Sequence, residues 1–252
     1  FAERSYSFFD PTHHVAPRTR KYVVTPAGVR QYGAVLRSGE QQALIDARSA
    51  HRYKVRAQAG RGDIVLTTLP GKILTLVANK LATLDPFGVG IEMEADRPGW
   101  CDALNGLPGI FGSSVNETIE LKRLVEFTLR AMPAGDGACP LPGELADFTG
   151  RLHALLHRRD LSPLGFWREA GALKESYRAA VFMGFSGVDA TLSFAAARRF
   201  LADVAAFLDV AIGRARTPQG IVTYFSCEVA AYEQTDTGVE VTGFRQRPLP
   251  LF

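Results

Sequence analysis

Cysteine is scarce in this chain of 252 residues: three are present, Cys101, Cys139 and Cys227, widely spaced and in no CxxC or Cys/His cluster. That argues against a disulfide framework and a structural zinc site, and reads as a reduced, cytoplasmic protein. Charge of one sign is equally scarce. Lys and Arg number 29 against 26 Asp and Glu, a net +3, too little for the dense basic patch a nucleic-acid partner demands. The short basic run from Arg18 to Tyr22 reads as a solvated loop. No apolar run is long enough to span a bilayer, and no charged-then-apolar signal segment opens the chain. No fixed-period repeat runs through it, which disfavours a solenoid. The chain starts without Met, inside "FAERSYSFFD", and stops at "RPLPLF". It is expected to be a piece of a longer polypeptide whose remainder completes a partial catalytic domain spanning 1–252.

What is present is mostly helical pattern. Residues 1–38 form a β-rich entry segment, with "KYVVT" and "VRQYGAVL" flanking "PAG" as a hairpin. Residues 38–55 read as a helix capped by Ser38. Residues 71–84 read as a second, with Ile73, Leu74, Leu76, Val77, Leu81 and Leu84 at helical spacing. Four more helices are expected over about 113–132 (capped by Ser113 or Ser114), 141–159, 165–185 and 190–215. Short loops between long helices imply antiparallel neighbours. The sequences from Gly220 to Gln234 and from Gly238 to Phe244 return to strand character around "TDT". The expected fold class is therefore mainly α, antiparallel helix pairs forming part of a toroid, with small β-hairpins near both ends.

One segment breaks the pattern. From Glu94 to Gly112 the chain reads "EADRPGWCDALNGLPGIFG", with three acids, one Arg, one Trp, two Pro and four Gly and no helix or strand period. Glu92 and Glu94 alternate with Ile91 and Met93, so on an extended strand both acids share a face. Asp96, Arg97, Trp100, Asp102 and Asn105 follow. Saccharide sites use this mixture: an indole stacks on the apolar face of a pyranose, while carboxylates and amides meet its hydroxyls. A carboxylic acid held in a partly apolar loop has its ionised form destabilised, which suits the general acid that protonates a glycosidic oxygen.

Other groups carry weaker signals. "FFDPTHH", Phe8 to His14, is polar and aromatic and is a candidate for lining a site from another loop. His13 and His14 are adjacent and point to opposite faces of an extended segment, so they read as polar loop residues. His153 and His157 stand four apart on a helix, as metal ligands do. Nothing else of ligand type completes a site, Arg158 and Arg159 oppose a cation, and the pair reads as surface or groove-lining; no metal site is expected. Tyr224, Ser226 and Glu228 share one strand face, with Glu228 a possible second carboxylate. Glu117 suits the first turn of its helix.

The stretch "GWCDALNG", and more widely residues 63–125, resembles the cellobiose phosphorylase family and its relatives, inverting enzymes with an (α/α)6 toroid. The resemblance implies that Asp102 is the general acid, with Trp100 and Asn105 at the motif's other positions. Arg97, Glu94, Glu92 and Asp96 are the accompanying candidates for substrate binding. Cys101 stands where that family has Asn, and Gly112-Ser113-Ser114 where it has Gly-Glu-Ser. The family's phosphate-site residues beside paired glycines are not found in 126–252. The function so implied is inverting phosphorolysis of a glycosidic bond in an oligosaccharide, needing no cofactor but inorganic phosphate as co-substrate. The alternatives are an inverting glycoside hydrolase of the same fold, in which a second carboxylate activates water, and a non-catalytic glycan- or partner-binding helical domain. The expected partners are the oligosaccharide, the rest of the longer chain and possible further copies of itself, with no nucleic acid and no membrane.

Overall fold

The computed structural model describes residues 3–32, 34–93 and 111–249. Among them are eight helices and fourteen strands in six sheets, a mixed α/β architecture. This corrects the mainly α expectation. With 44% of residues helical and 29% in strands spread over several small sheets, the chain does not match an (α/α)6 toroid.

The entry region is built from short pieces. Strands β1 (Tyr6–Ser7), β2 (His13–Val15), β3 (Tyr22–Thr25), β4 (Gly28–Gln31), β5 (Val35–Arg37) and β6 (Leu66–Thr67) alternate with helices α1 (Arg18–Lys21), α2 (Gly39–Asp46) and α3 (Ala57–Gly60). The expected β3–β4 hairpin is present. Gly28 closes it at φ +101°, a backbone conformation that side-chain-bearing residues rarely adopt. The basic run Arg18–Lys21 is a helical turn, with Lys21 buried, and not a solvated loop. Helix α2 ends at Asp46, well short of residue 55, and a turn follows.

The long helices are α4 (Leu69–Leu81), α5 (Val115–Ala131), α6 (Gly143–Leu156), α7 (Pro163–Val181) and α8 (Phe194–Arg214). Four start on a hydroxyl cap: Thr68, Ser114, Ser162 and Ser193 each accept from the backbone N–H three residues on. Their apolar faces form the main core, with Leu74 and Leu81 of α4, Val125 of α5, Leu145 and Leu152 of α6, and Phe200 and Leu208 of α8 almost wholly buried. No helix of the described residues is long and apolar enough to cross a membrane.

The remaining strands are β7 (Ile91–Met93), β8 (Phe111–Ser114), β9 (Ala138–Pro142), β10 (Asp189–Ser193), β11 (Arg216–Thr217), β12 (Gly220–Ile221), β13 (Tyr224–Thr235) and β14 (Gly238–Pro248). The late hairpin is shifted from its sequence reading: its first strand starts at Tyr224 rather than Gly220, and its second runs on to Pro248. It does not stand alone either: β14, β13, β8 and β7 form one four-stranded antiparallel sheet in that order. Tyr22, Val29, Val239 and Val241 make a small core between this sheet and the β3–β4 hairpin.

Candidate functional site

Strands β7 and β8 pair from Ile91↔Ser114 to Met93↔Gly112. Both ends of the irregular segment are thus fixed to adjacent strands of one sheet. Glu94, Asp96, Arg97, Trp100, Asp102 and Asn105 lie outside the described residues; of the candidate site residues, Glu92 alone lies within them.

Glu92 sits in a dense polar cluster. Its backbone N–H donates to the Thr83 carbonyl (2.8 Å), and its Oε1 accepts from the Trp167 indole N–H. The Arg18 guanidinium lies over the Trp167 ring, 3.5 Å from its centroid, and donates to the Trp167 carbonyl at 3.0 Å. Lys174, 3% exposed, donates to Thr83 Oγ1 at 3.0 Å, and Lys21 is 6% exposed. Lysines are almost never so buried unless paired, and here Arg18, Lys174 and Lys21 all act on Glu92. Glu92 keeps part of its surface open, yet protein atoms surround it closely enough for desolvation to dominate. Its pKa is raised by burial, against the opposing pull of Arg18, then Lys174 and Lys21, and the Trp167 hydrogen bond. Next to it Tyr22 is buried with Gln31, and burial pushes its phenol far up.

A second buried acid braces the same corner. Asp85 Oδ1 accepts from the backbone of Phe87 and Val89 (both 3.0 Å). Its Oδ2 accepts from Gly90 N–H (3.1 Å), Ser113 Oγ (2.5 Å) and Gln246 Nε2 (3.1 Å). Burial raises its pKa, while the Ser113 hydroxyl and the Val89, Gly90 and Phe87 N–H groups oppose the shift. With every donor supplied by the chain, Asp85 is a brace tying the turn before β7 to β8 and β14. Sequence reading missed it because Ser113 and Gln246, the partners that make it a brace, lie far away along the chain.

A groove of about 570 Å³ is lined by Phe8, Phe9, His13, Glu175, Arg178 and Phe182 among others. Phe8, Phe9, Asp10, Pro11, His13 and His14 of the polar, aromatic run all line this groove. Phe9 is 69% exposed and stacks on Tyr53, centroids 5.8 Å apart and planes 16° apart. Glu175 joins groove to cluster, because its Oε1 accepts from the Arg18 backbone N–H at 2.6 Å. The contacts therefore run from the groove through Glu175, Arg18 and Trp167 to Glu92, two residues before the irregular segment. Small-molecule sites have this make-up, a concave aromatic wall with a few placed polar groups.

Glu228 pairs with Arg247 on an exposed part of β13. Glu117 pairs with Lys80 near the start of α5. Cys139 and Cys227 are both buried free thiols, raised by desolvation first. No family model and no curated protein matches this chain. With a fold that departs from the toroid, the resemblance to the cellobiose phosphorylase family is withdrawn.

Proposed function

We propose that the chain is a carbohydrate-active enzyme domain, acting on a glycosidic bond with inversion, and that Asp102 is its general acid. The aromatic groove carries the reading: Phe8, Phe9 and Phe182 offer apolar faces, and His13, Glu175 and Arg178 offer hydrogen-bonding groups at its wall. A pyranose presents the complementary surface, one apolar face ringed by hydroxyls. The ladder that holds Met93 opposite Gly112 supports a role for the segment between them, since irregular loops that carry function are presented by rigid elements. In this reading Trp100 stacks on the sugar, and Asn105, Arg97, Glu94 and Asp96 meet its hydroxyls. Glu92 acts differently from its neighbours. Tied to Trp167, it positions the root of the segment.

Asp102 protonates the bridging oxygen as the bond breaks. In phosphorolysis, inorganic phosphate attacks the anomeric carbon; in hydrolysis, a second carboxylate takes a proton from the attacking water. The setting proposed is the cytoplasm, where the buried thiols of Cys139 and Cys227 stay reduced. The partner is an oligosaccharide, with no nucleic acid involved. A glycan-binding role without turnover is the second reading, favoured by the exposed Phe9–Tyr53 stack.

Candidate disaccharides incubated with and without phosphate test these readings. Sugar 1-phosphate formed only with phosphate marks phosphorolysis, and free reducing sugar without it marks hydrolysis. Asp102→Asn is expected to lower either rate by about 10²–10⁴-fold, the usual share of a general acid. Saccharide binding without products selects the second reading. An Asp102→Asn enzyme of full activity would remove Asp102 from the mechanism.

A further inference from the structure

Helix α6 ends at Leu156 with His157 as its C-cap, one turn beyond His153. Asp203, midway along α8, meets both rings. His153 Nε2 is 2.7 Å and His157 Nε2 3.2 Å from Asp203 Oδ2, and the two Nε2 atoms are 3.3 Å apart. Asp203 thus supplies the third group that the sequence around the two histidines does not, which corrects the expectation that nothing completes the pair. We propose that His153, His157 and Asp203 bind a divalent transition-metal ion of the zinc type.

The geometry suits the ion closely. Donor atoms about 2.0–2.1 Å from a tetrahedral zinc stand about 3.3–3.4 Å apart. Two of the three separations here are within about 0.2 Å of that spacing, and the third needs to open by about 0.6 Å. A circle through the three atoms has a radius of about 1.8 Å, so a point about 2.05 Å from each lies about 1 Å off their plane. All three donors reach that point at bonding distance, and tetrahedral angles follow once the His153–Asp203 pair opens.

Chemistry favours the ion as well. Two imidazole nitrogens converge on one carboxylate oxygen and on each other. If both carry protons toward Asp203, the two N–H groups crowd one another; a cation takes the place of both protons and binds both lone pairs. The end of α6 adds the partial negative charge of its terminal carbonyls. Arg158, which follows His157 directly, does not oppose the ion, because its guanidinium is engaged with Asp160 (2.6 Å) and Glu169 (3.2 Å). Phe200, one turn before Asp203, meets the His153 ring edge-on at 5.5 Å and fixes its plane. His157 is 64% exposed, so water has access to the fourth position, giving the open His₂-carboxylate-plus-water set rather than a closed structural one. Imidazole and carboxylate donors select zinc and its first-row neighbours over magnesium or calcium.

The test is titration of the metal-stripped 252-residue chain with Zn²⁺ by calorimetry, alongside Co²⁺ absorption spectroscopy, with His157→Ala and Asp203→Asn in parallel. His157 is mostly solvent-facing and Asp203→Asn preserves shape, so both variants are expected to fold, checked by circular dichroism. The expected result is one Zn²⁺ per chain, a Zn²⁺-dependent rise in melting temperature, and the intense visible bands of tetrahedral cobalt. Loss of even an outer-shell partner weakens a metal site by about 10–100-fold, so each variant should bind at least about 100-fold more weakly. Absence of Zn²⁺ binding would overturn the proposal. So would wild-type affinity in both variants, which would place the ion elsewhere, at a cysteine or at His13 and His14.

Discussion

At the scale of single residues, the surroundings of Glu92 set the direction of its pH response. Its carboxyl is raised above the ordinary value of 4.5, with desolvation the main cause. Above that value the unfolded chain gives up this proton more readily than the fold does. The native state therefore binds more protons, and stability falls as pH rises from 4.5 through the folded pKa. Glu92→Gln keeps the oxygen that accepts from Trp167 but removes the titration. Urea unfolding at a series of pH values is expected to show the variant gaining stability relative to wild type across that window and running parallel to it below. A constant difference at every pH would mean that Glu92 does not titrate abnormally. The polar character around Glu92 was readable from the alternation of Ile91, Glu92 and Met93. Its partners were not: Arg18, Trp167 and Lys174 lie far off in sequence, and no local pattern encodes such contacts. Asp203 is the same case. Its one visible signal was an acid set within the apolar run "FLADVAAFLDV", and only tertiary packing brings it to His153 and His157.

At the scale of elements, three helices were read as starting too early. Residues 111–114, 138–142 and 189–193 are strands that run straight into the N-termini of α5, α6 and α8. Each of these strands is only four or five residues long, so periodicity alone does not separate it from the helix behind it. What separates them is pairing: β9 with β10, and β8 with β7 and β13. The caps Ser38 and Ser114 were legible, because Ser before an apolar helix carries a local mechanism, whereas Thr68, Ser162 and Ser193 were not singled out. Ser114 does double duty, ending β8 and accepting from the Glu117 N–H at 3.3 Å while 2% exposed. Ser114→Ala leaves that N–H without its acceptor in a dry site, and is expected to cost about 1 kcal/mol, within about 0.5–2. Chemical denaturation measures it, and a change within error of zero would show that β8, not the cap, sets where α5 begins.

At the scale of the whole molecule, the candidate site lies on a seam. The helical core and the small core of the four-stranded sheet are separate clusters. Trp167, on α7, meets Phe244 of β14 edge-on at 5.2 Å, and Arg168 donates to the Val241 carbonyl at 3.3 Å. Ser114 and Val115 carry the chain directly from β8 into α5. The expectation of antiparallel helix pairs forming part of a toroid failed here, because helix-period counting sees α4 to α8 but not the sheet that joins them. If the seam is as continuous as these contacts imply, the two cores unfold together. Leu208→Ala, in the helical core, should cost about 2–5 kcal/mol. Val241→Ala, in the sheet core, removes less side chain and should cost less. In both variants, far-ultraviolet dichroism from the helices and near-ultraviolet dichroism from the aromatic residues at the seam are expected to change at one shared midpoint, as an all-or-none transition requires. A Val241→Ala protein whose near-ultraviolet signal melts ahead of its helices would separate the cores. The polar cluster around Glu92 would then be a hinge between two units rather than a rigid wall of one site.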